Sequence, residues 1–161
     1  MPDATMLDAA KAGAPETREE RTLVIERVLK ASPDKVFAAW TDPATLVKWW
    51  GPEGFTTPEC ALDLRPGGAW RTVMLSPTGE RHPVSGVYRE LTPPSRLVMS
   101  WAWDQPDGSR GHETEVAITL EPVAGGTRMR LVQSLFQTMA WRDNHHGGWS
   151  SSFNRLEKLF A

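Results

Sequence analysis

The chain has 161 residues, with 18 basic and 20 acidic side chains and a formal net charge of −2 at pH 7. This length suits one domain with its own core, and the weak charge argues against nucleic acid as the main partner. Cys60 is the single cysteine, so an intramolecular disulfide and a cysteine-only metal site are excluded. With no apolar run long enough to span a membrane, the composition predicts a cytoplasmic protein.

The first part of the chain is predicted to be a disordered tail, over residues 1–20, followed by a single domain over residues 21–161. The tail is rich in Ala, Asp, Glu, Lys and Arg and lacks the apolar stretch of a signal peptide. From Arg21 the residues alternate, with Leu23, Ile25 and Leu29 on one side. Alternation of this kind predicts a first strand over Arg21–Lys30.

Two helix start signals follow the first strand. Ser32 stands directly before Pro33, and Asp42 stands directly before Pro43. Serine and aspartate cap helices, and proline suits the first helical position. We therefore expect two short helices over Pro33–Trp40 and Pro43–Trp50, the second ended by Gly51-Pro52.

The middle of the chain is a series of apolar segments separated by Pro, Gly, Ser and Asp. Strands are predicted over Thr56–Arg65, Ala69–Leu75, Arg81–Leu91, Arg96–Trp103, Gly111–Glu121 and Thr127–Leu135. The connections are only a few residues long, and parallel neighbours need crossovers of a dozen or more. These strands and the first one should therefore form a seven-stranded antiparallel sheet.

The C-terminal segment is predicted to be a long helix over residues 138–160. Its apolar positions recur at steps of three, four and seven: Met139, His146, Trp149, Phe153, Leu156 and Phe160. At about 1.5 Å per residue such a helix is long enough to cross a small sheet. Strands segregated from helices indicate an α+β fold with the helices on one side of the sheet.

Four local motifs resemble a known family. They are Trp49-Trp50-Gly51-Pro52, the run from Asp63 to Trp70 through Pro66-Gly67-Gly68, Pro93-Pro94-Ser95-Arg96-Leu97 with Ser100-Trp101, and Gly148-Trp149 with Leu156. In this order they resemble the START-like or SRPBCC helix-grip superfamily. Within it they resemble homologues of the C-terminal domain of the activator of heat-shock-protein-90 ATPase.

The resemblance covers about residues 21–161 and implies a helix-grip fold, in which the long helix lies across a curved sheet and a cavity opens between them. Members of the superfamily bind lipids, sterols, polyketides or plant hormones. The eukaryotic activator binds its chaperone with an additional N-terminal domain, for which the twenty residues before the first strand leave no room. The family name also suggests a part in the stress response.

The candidate cavity lining consists of large side chains on the strand faces and helix stripe that would face each other. It comprises Trp49, Trp50, Trp70, Met74, Met99, Trp101, Trp103, Ile118, Met129, Leu131, Gln133, Met139, His146, Trp149 and Phe153. Gln133 is a polar exception that would bond backbone or orient a ligand. His146 would be a hydrogen-bonded core histidine or a polar anchor in the cavity.

Residues that could carry chemistry are sparse. Cys60 lies mid-strand without an activating neighbour in sequence, and His145 and His146 are consecutive, so they cannot share one helix face as a metal pair. No phosphate loop, dinucleotide motif or zinc spacing is present, so no metal and no cofactor is predicted.

Three functions remain open on the sequence. The first is binding of a small hydrophobic molecule, lipid-like or aromatic, without chemistry. The second is a chaperone-linked or other protein-interaction module. The third is an enzyme acting on a hydrophobic substrate, with His146 as acid or base assisted by Gln133 or Glu113. We expect a monomer or a weak homodimer.

Overall fold

The computed structural model describes residues 15–161. Its elements, in chain order, are β1 Leu23–Leu29, α1 Pro33–Thr41, α2 Pro43–Leu46, β2 Thr56–Leu62, β3 Ala69–Leu75, β4 Arg81–Thr92, β5 Arg96–Trp103, β6 Thr114–Val123, β7 Gly126–Ser134 and α3 Met139–Leu159. The predicted α+β class, with two short helices after β1 and a long C-terminal helix, is confirmed.

The strands form one seven-stranded antiparallel sheet in the order β1-β7-β6-β5-β4-β3-β2. Strands β2 to β7 follow one another as a meander, and β1 joins beside β7, where Leu23 pairs with Gln133 and Leu29 with Thr127. Register shifts between Tyr88 and Glu90 in β4 interrupt its pairing with β5. Irregularities of this kind bend a strand and help a sheet to curve.

Each helix begins at the signal that the sequence carries. The hydroxyl of Ser32 accepts a hydrogen bond from the Lys35 N–H at the start of α1, and the hydroxyl of Thr138 accepts from the Trp141 N–H at the start of α3. Helix α2 is shorter than predicted and ends at Leu46, after which a turn carries the chain to Trp50. Leaving the helix lets two consecutive tryptophans, Trp49 and Trp50, be buried on different partners.

The outer face of the sheet carries charged side chains that form ion pairs. Arg130 lies 3.6 Å from Glu26, and Arg128 lies 3.3 Å from Glu121, while Met129 between the two arginines is fully buried on the other face. Because the inner face carries most of the large buried apolar side chains, the long helix and the two short ones pack on that side.

The closed half of the interior lies where α1 packs against β6 and β7. The Trp40 indole donates to the Met129 sulfur at 3.3 Å, and its ring centroid lies 4.8 Å from that of Trp49 and 6.2 Å from that of Phe153. Aromatic pairs in these edge-on arrangements stabilise a core beyond the area they bury. This half is therefore filled.

Residues 17–21 form a turn that is packed on the start of α3. Thr17 and Glu20 bond each other reciprocally, Thr17 N–H to the Glu20 carboxylate at 2.9 Å and Glu20 N–H to the Thr17 hydroxyl at 3.1 Å. The Glu16 carboxylate accepts from the Met139 N–H at 2.8 Å. This stretch, which the sequence places in the tail, therefore packs on the domain; residues 1–14 lie outside the described part.

Candidate functional site

A cleft of about 520 Å³ opens between the first half of α3 and the β3–β5 side of the sheet. The segment after α2, carrying Trp50 and Phe55, closes one end. Strands β3 and β5 supply Met74, Trp101 and Trp103. The helix supplies the opposite wall, including His145, Gly148 and Trp149.

Three tryptophan rings form the floor of the cleft. The centroid of Trp101 lies 5.1 Å from that of Trp149 and 5.7 Å from that of Trp50, and Trp50 and Trp149 are 5.5 Å apart. All three side chains are at least 95% buried. They come from β5, α3 and the turn after α2, so the cleft floor joins three separate parts of the chain.

A buried chain of polar groups fixes Trp149. Its indole N–H donates to the Gln133 carbonyl oxygen at 2.8 Å, and the Gln133 amide donates to the Thr114 hydroxyl at 2.9 Å. Gln133 does not line the cleft. Of its two predicted roles, backbone bonding and ligand orientation, the structure shows neither: the side chain ties α3 to the sheet.

The turn that carries Trp50 is held from both sides. The Trp50 indole donates to the Thr72 hydroxyl in β3 at 2.9 Å. From α3, the Arg155 guanidinium donates to the carbonyl oxygens of Trp50, Gly51 and Lys48 at 3.1, 2.9 and 3.1 Å. A charged donor on several carbonyls is a strong contact. The closing end of the cleft is therefore fixed to the helix.

His145 forms part of the cleft wall and is held in one neutral tautomer. The Trp103 indole donates to its Nε2 at 2.8 Å, and its Nδ1 lies 2.9 Å from the Trp141 carbonyl oxygen. An indole N–H only donates and a carbonyl only accepts, so Nδ1 carries the proton and Nε2 is the acceptor. Burial lowers the pKa of His145 below its ordinary value, although the Trp141 carbonyl acts in the opposite direction.

The prediction that His146 faces the cavity is wrong. His146 is exposed, whereas His145 is 8% exposed. At about 100° per residue, His145 lies roughly 40° from Trp149 on one side of the helix and His146 roughly 60° on the other. The sheet and Trp103 lie on the side of His145. The sequence spacing alone did not distinguish these two directions.

The structure divides the remaining candidates into two groups. Trp50, Met74, Trp101, Trp103 and Trp149 line the cleft. Met139 is half-buried at the start of α3 and does not line it. The other candidates are buried in the filled core and do not line the cleft either: Trp49, Trp70, Met99, Ile118, Met129, Leu131 and Phe153.

Among the cleft residues that the sequence analysis missed are the aromatic side chains of Trp141 and Phe55. Trp141 is 51% exposed and stands at the rim, one helical turn before His145. The spacing of Trp141, His145 and Trp149 at steps of four is the signal that could have found it.

Gly148 leaves room in the helix wall. Helix α3 continues through Gly147 and Gly148, and a Cβ added at either glycine would meet no atom within 4 Å. Only Gly148 lines the cleft. Its missing side chain therefore contributes open space to the site.

A smaller cavity of about 100 Å³ lies beside the cleft. Trp101, Trp103, Trp141 and His145 line both spaces. The Trp103–His145 hydrogen bond thus stands in the wall that the two cavities share.

The described residues hold few groups for chemistry. Within residues 15–161 no three His, Cys, Asp or Glu side chains are placed to hold a metal ion. Burial raises the pKa of the Cys60 thiol, which disfavours its thiolate. Glu113, the predicted helper of an acid–base histidine, instead pairs with Arg89 and Arg110 on the surface. No helix of this part of the chain is long and apolar enough to cross a bilayer.

Comparison with known proteins places this architecture in a family. The chain is similar to the AHSA1 protein from Silicibacter pomeroyi, with 33% identity, a TM-score of 0.78, and 86% of this chain and 96% of the other covered. It is similar to a protein from Chromobacterium violaceum, with 32% identity, a TM-score of 0.77, and 87% and 96% covered.

A third solved structure, a protein from Nitrosomonas europaea, has 31% identity and a TM-score of 0.73, with 87% and 94% covered. No curated protein matches the chain. The family model described as Activator of Hsp90 ATPase homolog 1-like protein matches residues 30–161. The helix-grip resemblance seen in the sequence is confirmed, and the chain belongs to the Activator of Hsp90 ATPase homolog 1-like family.

Proposed function

We propose that this protein binds a small, largely apolar molecule in the cleft between α3 and the sheet. The observation that supports this most strongly is the cleft itself, about 520 Å³ with a floor of three buried tryptophans. Ligand sites are typically concave, mostly apolar, and supplied with a few placed polar groups. The size and lining of this cleft have those properties.

The charged groups at the rim favour a neutral ligand. Arg81 lies 2.7 Å from Glu59, and Asp104 lies 3.1 Å from Arg71. These two are the charged lining residues apart from histidine, and both have a partner of opposite sign. A ligand with a formal charge would therefore meet no unpaired counter-charge in the described lining, and burying it would be unfavourable.

The shape of the floor favours a flat ring. Trp101 and Trp149 are tilted by 49°, whereas Trp50 stands at 88° to Trp149. A planar molecule can stack on one ring and meet the edge of another, which are the two preferred aromatic geometries. Aromatic or polycyclic molecules are therefore expected to bind better than single-chain lipids.

The enzyme alternative has less support, because its acid–base residue, His146, is exposed and the buried His145 has both ring nitrogens bonded to protein groups. The chaperone-linked alternative stays a prediction. The large apolar side chains exposed in residues 15–161 are scattered over several elements, and Trp141 at the cleft rim is the one aromatic among them.

The test is a panel of fatty acids, sterols, flavonoids and aromatic carboxylic acids, read by thermal unfolding and tryptophan fluorescence. We expect saturable binding of a neutral aromatic class, with a rise in unfolding temperature that follows the ligand concentration. Absence of any response, from protein shown to be folded, would refute the proposal. Charged acids binding better than neutral flavonoids would refute the argument about the rim.

A further inference from the structure

We infer that the ligand of this cleft carries a neutral hydrogen-bond acceptor, such as a ketone or ester carbonyl, and that Trp101 is the residue that recognises it through its indole N–H. This inference rests on the proposed function and names the chemical class of its ligand. The argument starts from the indole donors of the described residues.

Trp101 differs from the other buried tryptophans in having a donor without an acceptor. Its Nε1 is buried, and no acceptor of residues 15–161 bonds it. The other buried or half-buried indoles each donate to a defined atom, among them Trp40, Trp49, Trp50, Trp70, Trp103 and Trp149. Buried polar groups without a partner are rare in native proteins, so this one needs an explanation.

The position of Trp101 supplies that explanation. The side chain is 4% exposed and lines both the cleft and the small cavity beside it. Its ring centroid lies 5.6 Å from that of Trp103 and 6.4 Å from that of His145, the pair that forms the shared wall. A ligand that brings an acceptor to this wall would therefore place it beside the Trp101 ring, whose N–H has no acceptor.

The Trp101 ring is also held firmly. Its backbone pairs with Thr114 in β6, and the Thr114 hydroxyl donates to the Trp101 carbonyl oxygen at 3.3 Å. The rings of Trp50, Trp70 and Trp149 surround it at 5.7, 5.4 and 5.1 Å. A donor fixed in place before binding loses little freedom when it takes an acceptor.

The acceptor should be neutral. A carboxylate would bring a charge into an aromatic floor whose rim Arg81 is already paired with Glu59. A carbonyl oxygen can accept a hydrogen bond from an indole N–H, and it brings no charge that needs a partner of opposite sign. A site with a buried donor discriminates against an analogue that lacks the acceptor, because the donor is then left unpaired.

The test uses two neutral molecules of almost the same shape, 2-acetylnaphthalene and 2-isopropenylnaphthalene, in which a CH₂ group replaces the carbonyl oxygen. We expect the ketone to bind about tenfold more tightly to the wild-type protein, and the ratio to fall to about one in Trp101→Phe. Trp49→Phe is the matched control, because Trp49 donates to the Ala39 carbonyl, does not line the cleft and is not one of the rings that surround Trp101. It should keep the preference for the ketone.

A second measurement follows the indole N–H signals by ¹⁵N nuclear magnetic resonance. The Trp101 signal is identified by its loss in Trp101→Phe, and the ketone should move it downfield, whereas the hydrocarbon should not. Equal binding of the two naphthalenes, or an unmoved Trp101 signal, would overturn the inference and leave the proposed function standing. In that case a weak N–H contact with the face of a neighbouring ring would account for the unpaired donor. Binding of neither molecule to folded protein would count against both.

Discussion

Filling the cleft from the helix side should abolish ligand binding without unfolding the protein. Gly148→Leu places a side chain into open space on the cleft wall, where a Cβ meets no atom within 4 Å. Leucine is also a better helix residue than glycine, by roughly 0.8 kcal/mol. In a protein of this size that gain corresponds to an increase of about 2–3 °C in unfolding temperature.

Gly147→Leu is the matched control. It lies one residue earlier in the same helix, also with no neighbour within 4 Å of a Cβ, but it is exposed and does not line the cleft. It should gain the same helix stability as the first variant. Any difference between the two variants in ligand binding therefore reports on the cleft alone.

The assay is thermal unfolding with and without a ligand that the panel identifies. At a ligand concentration of 100 Kd, wild-type protein should gain about 2.7 kcal/mol, or roughly 5–10 °C. Gly147→Leu should keep this increase and Gly148→Leu should lose it. A Gly148→Leu protein that keeps the full increase would show that the ligand binds elsewhere, and loss in both variants would show that the helix itself is disturbed.

Three further predictions concern the residues that hold the cleft. Burial lowers the pKa of His145 below 6.5, so just below that pH the unfolded chain binds more protons than the folded chain. The contribution of His145 to the free energy of unfolding should therefore be complete above pH 6.5 and decrease as the pH falls through the folded pKa. His145→Gln should flatten this part of a urea-unfolding series between pH 8 and about 5, and the exposed His146→Gln is the control that should keep it. The opposite pattern would refute the conclusion that burial keeps His145 neutral. Trp149→Phe leaves a buried glutamine oxygen without its donor and should reduce the free energy of unfolding by about 1–3 kcal/mol, measured in urea, whereas a change below 0.5 kcal/mol would mean that the bond is not formed. Arg155→Met removes a charged donor from three carbonyls. It should reduce the free energy of unfolding by about 1.5–3 kcal/mol and weaken ligand binding. An unchanged free energy of unfolding together with unchanged binding would contradict the role given to this arginine.

The fold was largely predictable because its signals are local. Alternation and turn residues indicated seven strands, short connections made them antiparallel, and the cap residues Ser32 and Asp42 marked the starts of the two short helices. The second short helix was predicted too long, since the pattern of apolar residues continues through Trp50 while the helix ends at Leu46. Burial of two consecutive tryptophans on different partners is a tertiary requirement that no local pattern contains.

The site was predicted less completely, since periodicity identifies the apolar face of an element but not where along that face the interior is filled. Met129 and Trp103 both lie on inner strand faces, yet only Trp103 borders the cleft. Met129 does not border the cleft because α1 packs on β6 and β7 and covers that part of the inner face. The sequence analysis placed His146 rather than His145 in the cavity for a similar reason. Both residues lie near the margin of the apolar helix face, and the spacing alone does not show which side of it meets the sheet.

The tryptophan floor also has a spectroscopic consequence. Neighbouring indoles 5–6 Å apart, such as Trp101 with Trp149 at 5.1 Å and Trp50 with Trp101 at 5.7 Å, exchange excitation energy and couple their electronic transitions. Excitation should therefore be shared within this cluster, so that its rings do not emit independently of one another. A quencher touching a single ring would dim the whole group, and the coupled circular-dichroism band would vanish when the rings separate, even while the helices persist.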